Sequence, residues 1–404
     1  MITKIDIENT IEQQTNNIHD EKTLSRDLLK SVKPAKGFAT IITGIRRCGK
    51  STVVGQLQKK AKGSLYINFD TPALFGFSMD NFRLLDMIIQ EHKAKKLFLD
   101  EIQVVNGWEV YVRGKLDEGY EVMITGSNAS LLSKELGTKL TGRHISKTLY
   151  PFSYGEFCKF KKIDTGVASF EKYLQLGGFP QFLKEGNDEI LQNLVSDILY
   201  RDIMVRFGLK EDLPLKKLIL FLMGNIGNPV SANSLRDVIG VKGTQTVLDY
   251  FSYLENAYLM QFVPQFSYSY RTQQLRPKKV YSIDLGLHSA MSPSFSKDLG
   301  HKLENAVYLE LVQRGNNVFY FNESNCECDF VACNGNEPEN VIQVCYDFNP
   351  ENYNREITGL VKAMNFFKLK EGLLLTLTQT DELVIDGKQI HVRPAWRWAK
   401  ERSN

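Results

Sequence analysis

Between about residues 36 and 150, short apolar runs alternate with stretches whose apolar positions recur at helical spacing. Phe38-Ala39-Thr40-Ile41-Ile42 reads as a buried strand, and Ser51-Thr52-Val53-Val54-Gly55-Gln56-Leu57 as the helix that follows it. Leu97-Phe98-Leu99 and Glu121-Val122-Met123-Ile124-Thr125 are two further strands. This alternation predicts a parallel sheet with helices on both faces, whose carboxyl ends deliver their residues to one crevice. Upstream, residues 1–35 read as a polar, mostly helical lead-in with no assignable chemistry.

Downstream the pattern changes twice. Residues 151 to 222 are rich in helix formers and in aromatics such as Phe152, Tyr154, Phe157 and Phe170, which predicts a helical lid broken at Gly177-Gly178-Phe179-Pro180. Next, Ser231 to Ile239, the Gly240 turn and Thr244 to Phe251 have the rhythm of a helix-turn-helix. Strands are expected at Tyr258 to Val263 and Val280 to Ile283. They flank a basic, aromatic stretch of Tyr268, Tyr270, Arg271, Arg276, Lys278 and Lys279, which a winged helix would carry in its wing. From about residue 296 an amphipathic helix, Leu303 to Leu311, precedes strands at Val318 to Phe321, Cys328 to Ala332 and Val341 to Cys345.

Composition narrows the possibilities. With 43% apolar and 24% charged residues the chain resembles a globular protein, and 404 residues suggest roughly two to four domains. Fifty Lys and Arg against 47 Asp and Glu give a net charge of +3, so any nucleic-acid binding must be local. No apolar run approaches a membrane span, and the first residues lack a signal-peptide core, which predicts a cytoplasmic protein without a membrane partner. Six sparse cysteines are expected to be reduced. Cys326, Cys328 and Cys333 lack a nearby His and the spacing of structural zinc.

The chemistry lies where strands end. Gly44-Ile45-Arg46-Arg47-Cys48-Gly49-Lys50-Ser51 fits G-x-x-x-x-G-K-S between a strand and a helix. Its curled amides, the helix N-terminus and the Lys50 ammonium suit a triphosphate, with Thr52 completing the cradle. About fifty residues on, a strand ends in Asp100-Glu101. The first acid is expected to hold Mg²⁺ together with Ser51, and the second to activate water as general base. Asn128, with Ser127 as second choice, follows the next strand as a γ-phosphate sensor, or else caps a helix. Arg143 is the candidate arginine finger, acting within the chain or on a neighbour in a self-associated form. Arg46 and Arg47 would add positive potential to the loop, or contact another domain.

These strings, with Tyr66-Ile-Asn-Phe-Asp, Gly107-Trp-Glu, Pro151-Phe-Ser-Tyr-Gly-Glu-Phe, Tyr200-Arg-Asp-Ile and Lys279-Val-Tyr-Ser-Ile-Asp-Leu-Gly, resemble a prokaryotic group of AAA-type ATPases with a C-terminal domain of unknown function. The resemblance implies an α/β fold: a P-loop NTPase parallel sheet, a helical lid, a winged-helix module and a C-terminal α/β domain similar to restriction endonucleases. The corresponding boundaries are 1–35, 36–150, 151–222, 223–295 and 296–404. In the last domain Asp329 fits the first nuclease carboxylate, but Gln343 and Cys345 stand where an acid and a lysine belong, so nuclease activity is not expected. The resulting expectation is an ATPase that binds ATP and Mg²⁺ and moves its C-terminal region, with the winged-helix patch open to either DNA or an inter-domain or protein-docking contact. The alternatives are a nucleotide-switched signalling or toxin-related scaffold without DNA, and an active nuclease.

Overall fold

The computed structural model describes residues 2–20, 23–127, 142–292, 299–324 and 326–401. The chain forms two compact units. The first comprises Met1–Tyr150 together with Asn256–Tyr258, and the second comprises Pro151–Glu255 and Leu259–Asn404.

In the first unit, helix α1 (Lys4–Asp20) precedes strand β1 (Ala39–Thr43), helix α2 (Lys50–Gln58), strand β2 (Ser64–Asn68), helix α3 (Phe82–Glu91), strand β3 (Lys96–Asp100), helix α4 (Trp108–Asp117) and strands β4 (Glu121–Gly126) and β5 (His144–Thr148). The strands lie in the order β2-β3-β4-β1-β5, all parallel. Thr43, Asn68, Asp100, Gly126 and Thr148 therefore finish at one edge. β5 escapes the apolar pattern because all five of its residues are only partly buried, as befits an edge strand.

The lead-in is part of the core, with Ile7 and Ile11 packed among the apolar residues of the sheet. Gln14 of α1 also closes the other edge. Its side-chain amide donates to the Asn68 carbonyl at 3.0 Å and its oxygen accepts from the Asn68 N–H at 2.8 Å, pairing groups that a sheet edge leaves open. Farther along α1, Ile18 seats against Gly55 of α2, where a Cβ would approach Ile18 to 2.3 Å.

The second unit begins with helices at Tyr154–Lys161, Val167–Leu176, Pro180–Glu185 and Glu189–Asp197. Helix Leu213–Met223, strand β6 (Pro229–Val230), helices Ala232–Ile239 and Thr244–Asn256, and strands β7 (Met260–Pro264) and β8 (Lys278–Ser282) follow. The three strands form an antiparallel sheet in the order β6-β8-β7. The expected strand from Tyr258 starts two residues late, because Tyr258 has a left-handed φ of 59° that a ladder does not accommodate.

A buried acid holds this unit's helices in place. Asp284 accepts from the N–H groups of Gly286 (2.8 Å) and Leu287 (3.1 Å), capping helix Leu285–Met291, and from Gly178 (2.6 Å) in the glycine break. A Cβ at Gly177 would meet that carboxylate at 2.3 Å. Burial pushes the Asp284 carboxyl up to about 6, against those three N–H bonds.

Helix Leu299–Gln313 leads into a six-stranded sheet of β9 (Asn317–Glu323), β10 (Cys326–Asn334), β11 (Glu337–Val344), β12 (Glu371–Thr376), β13 (Asp381–Ile385) and β14 (Lys388–Pro394). Its order is β13-β14-β12-β11-β10-β9. Cys328 and Cys333 are buried in its core, and no metal-type cluster of His, Cys, Asp or Glu occurs among the described residues. Helix Tyr353–Phe366 crosses β10 so closely that a Cβ at Gly359 would lie 1.9 Å from the Glu327 carbonyl oxygen. Gly359→Ala should therefore lower the unfolding free energy by about 1–3 kcal/mol. An unchanged urea midpoint would show that the helix has room to spare.

Candidate functional site

The loop after β1 is shaped by three left-handed residues, Gly44 (φ 143°), Arg47 (62°) and Gly49 (102°). Glycine is required at 44 for a second reason, since a Cβ there would lie 2.1 Å from the Leu149 carbonyl oxygen. Ile45 and Cys48 are fully buried, and the Cys48 thiol, pushed up by burial, donates to that same carbonyl at 3.4 Å. Arg26, only 5% exposed, clamps the loop from outside the motif. One guanidinium nitrogen donates to the Cys48 carbonyl (2.9 Å) and another to the Tyr150 carbonyl (2.7 Å). No sequence signal marks Arg26, because its partners are backbone carbonyls 22 and 124 residues away. Arg46 lies 3.9 Å from Asp70 across the crevice.

Lys50 opens α2 at 4% exposure. Its Nζ donates to the Gly44 and Ile45 carbonyls, both at 3.2 Å, and stands 3.6 Å from Glu101 Oε1. Burial works against the ammonium, but attraction from Glu101, with smaller pulls from Cys48 and Asp100, holds its pKa above the ordinary lysine value.

Asp100 is completely buried. It accepts from Tyr66 Oη (2.7 Å), Asn68 Nδ2 (3.1 Å) and the Thr125 hydroxyl. Burial, then the charge of Glu101, pushes its carboxyl above the usual aspartate range. Glu101 sits in a left-handed conformation (φ 49°), with its N–H on Thr125 Oγ1 at 2.9 Å and its side chain bonded to Gln103. Thr125 thus fixes both acids at once. Residue type and position hid it, because a threonine inside β4 reads as an ordinary strand residue.

Beside this cluster, Asn17, Ile18, Thr23, Ser51, Thr52, Gly55, Gln56 and Lys59 line a cavity of about 240 Å³ between α1 and one face of α2. Among the proposed sensors, Ser127 is buried, whereas Asn128 lies outside the described residues. Arg143 is placed at the other edge of the sheet, just before β5. It bonds the Gly37 carbonyl and pairs with Asp117 at the end of α4. Within this chain the length of β5 separates it from the loop after β1.

A second charged centre lies in the other unit. Lys279, expected in a solvent-facing basic stretch, is instead 1% exposed. Its Nζ meets Glu327 Oε1 at 2.7 Å, Asp329 Oδ1 at 2.8 Å and Glu304 Oε1 at 3.0 Å. Tyr281 Oη also donates to Glu304 Oε1 at 2.7 Å. The Lys279 pKa is held well above the ordinary value, although burial opposes it, by Asp329 and Glu304. Burial and the neighbouring Asp329 push Glu304 up to about 7. Asp329 Oδ2 accepts the Val344 N–H (2.9 Å), Gln343 bonds Glu356 (2.7 Å), and the Cys345 thiol donates to the Asp347 carbonyl (3.3 Å). An ammonium therefore occupies the centre of the carboxylates that a divalent cation would need.

Residues 36–158 match the family described as an AAA domain, and residues 167–298 one described as a domain of unknown function (DUF8612). "Uncharacterized protein MJ1544" of Methanocaldococcus jannaschii is 33% identical over 410 residues, spanning 94% of this chain and 91% of its own. An uncharacterized protein of Haemophilus influenzae is 30% identical over 378 residues, spanning 87% of this chain and 92% of its own. Among solved structures, Cdc6p from Pyrobaculum aerophilum is 16% identical, covering 62% of this chain and 86% of that one at a TM-score of 0.27. AMPPCP-bound DnaA from Aquifex aeolicus is 13% identical, covering 63% and 89%, also at 0.27. Superpositions that loose transfer no residue role.

The DUF8612 match includes Lys279 but ends before its three acids. Lys279→Met should destabilise the protein by roughly 3–5 kcal/mol near pH 8, by leaving buried carboxylates without a counter-charge. A carboxyl whose folded pKa is raised binds its proton more tightly in the folded state, so the stability it supports is greatest at low pH and is lost as pH rises. For Glu304 that window runs from its ordinary value of 4.5 to about 7, and removing the lysine charge extends it upward, so the variant's penalty should grow as pH rises above about 7. Urea midpoints at about pH 7 and about pH 9 test this, and a penalty equal at both would refute it.

Proposed function

Because this chain belongs to one family with the uncharacterized protein MJ1544 of Methanocaldococcus jannaschii and carries an AAA domain, we propose that it binds ATP with Mg²⁺ and hydrolyses it in the crevice of the parallel sheet. The observation that carries this reading is the Lys50 ammonium, buried at the mouth of the loop 3.6 Å from Glu101, with the wholly buried Asp100 carboxylate at the end of the neighbouring strand. Phosphate oxygens would replace the Gly44 and Ile45 carbonyls as partners of Lys50, while the amides from Gly44 to Thr52 cradle the rest of the chain of phosphates.

The residues fit the cation. The Ser51 hydroxyl in the first turn of α2 and the wholly buried Asp100 carboxylate at the end of β3 are oxygen donors of the kind a hard cation takes. Ser51 and Asp100 would hold Mg²⁺, which when bound offsets phosphate charge. Glu101, aimed by Thr125 and Gln103, takes the proton of the attacking water. The cavity along α2 next to Thr52 is the proposed place for the base. These features support a cytoplasmic ATPase, and among the described residues no helix is long and apolar enough to cross a membrane.

Lys50→Ala should abolish nucleotide binding in calorimetry. Glu101→Gln should retain binding and reduce turnover by about 10²–10⁴-fold. Equal loss of binding in both would refute the division of roles.

A second element of the reading is DNA association through the module around β6, β7 and β8. Helix Leu213–Met223, β6, two helices, β7 and β8, with strand order β6-β8-β7, is an element order compatible with a winged helix, and this supports the proposal. Where a wing would be, a short helix, Tyr270–Leu275, presents exposed Tyr268, Tyr270, Arg271 and Arg276. Aromatic faces and cations together suit single-stranded or duplex nucleic acid. Duplex and single-stranded DNA should stimulate ATP turnover, less so as salt rises, and charge reversal at Arg276 and Lys278 should remove the effect. Lys279 is excluded from that test by its burial. No response to DNA, with an ATP-dependent change in solution mass, would favour the scaffold reading and a role for Arg143 toward a neighbouring copy.

A further inference from the structure

Three residues cross the division between the two units. Asn256–Tyr258 belong to the nucleotide-binding fold, whereas the chain on either side, helix Thr244–Asn256 up to Glu255 and the strand from Met260, belongs to the second unit. Within the first unit, Tyr258 is 7% exposed and its hydroxyl donates to Thr43 Oγ1 at 2.7 Å. Thr43 and Thr148 are register partners at the ends of β1 and β5, and the Leu149 N–H donates to the Thr43 carbonyl at 2.7 Å.

This places one phenol under the root of the phosphate loop. Thr43 is bonded directly to Gly44, whose carbonyl holds Lys50, and Leu149 supplies the carbonyl that packs against Gly44 and receives the Cys48 thiol. The tyrosine achieves this reach with a φ of 59°, a left-handed conformation that a bulky L-residue seldom adopts. Strain of this kind persists where the surroundings over-determine it, and such positions cluster at switch regions. The loop must also change when it is filled, because Lys50 now spends its hydrogen bonds on the loop's own carbonyls.

We propose that Tyr258 is a positioning residue that couples the phosphate loop to the second unit: its hydroxyl holds the end of β1 at Thr43, and its backbone joins helix Thr244–Asn256 to β7. This inference rests on the ATP reading above. Filling the loop shifts Gly44 and Thr43, the Thr43–Tyr258 bond follows, and the chain segments flanking Tyr258 feel the change with no separate contact needed to carry it.

Hydrogen exchange of the full chain, with Mg²⁺ and with or without ATP, tests it on peptides covering residues 244–264. In the native protein ATP should slow exchange there. Tyr258→Phe keeps the ring and removes only the hydroxyl. It should reduce that ATP-dependent difference by about fivefold, the lower end of usual coupling strengths. ATP affinity should stay within about threefold, a small change on the binding scale. A residue that merely stabilised the fold would alter exchange equally with and without nucleotide. Thr43→Val removes the partner hydroxyl and should reproduce the loss, which keeps the test available if Tyr258→Phe does not fold. An ATP response in both variants equal to that of the native protein overturns the proposal, as does native protein that binds ATP with no response at 244–264. Native protein that fails to bind ATP in calorimetry overturns the ATP reading first, and this inference with it.

Discussion

A buried ammonium beside one wholly buried and one partly buried acid is the constraint from which the rest of the first unit follows. Removing Lys50 from water is costly unless charge and hydrogen bonds meet it inside. Glu101 at 3.6 Å and the Gly44 and Ile45 carbonyls do so. That arrangement requires the loop to curl back over its own helix, which in turn requires left-handed backbone at Gly44 and Gly49 and leaves no room for a side chain at Gly44. The curl is then fixed from several sides, by Arg26 on the Cys48 carbonyl, by the Cys48 thiol on Leu149, and by β5 beside β1. On the acidic side, Thr125 serves Asp100 and Glu101 together, so β4 must lie between β1 and β3, as it does.

The second unit contains the same pair of charges with the opposite outcome. Among the described residues Lys50 pairs with one acid, Glu101, at 3.6 Å, and otherwise holds neutral carbonyls. Lys279 has three carboxylates at 2.7–3.0 Å, so its donors are taken and the acids around it are already balanced. The lysine also explains why the carboxylates of β10 and of helix Leu299–Gln313 do not form a cation centre, independently of Gln343 and Cys345. It ties β8 of the three-stranded sheet to the helix and strand that carry those acids.

What the amino-acid sequence determined by itself was whatever depends on neighbours along the chain. Apolar runs fix β1, β3 and β4, glycine spacing fixes the loop, and adjacent acids close β3, because strand burial, left-handed turns and a helix N-terminus are local properties of a few consecutive residues. The tertiary structure alone decided the pairings of residues far apart. Arg26 meets Tyr150, Tyr258 meets Thr43, and Tyr66 and Thr125 meet Asp100. It also moved two cations from their expected settings. Lys279 left a solvent-facing stretch for a buried cluster, since β8 turns that residue inward while Lys278 stays partly exposed, and Arg143 fell at the amino-terminal edge of the sheet because β5 runs parallel to β1. Which side of a strand faces the core, and which end of a sheet a residue occupies, are set by register and strand order, and neither is written in the spacing of a single segment.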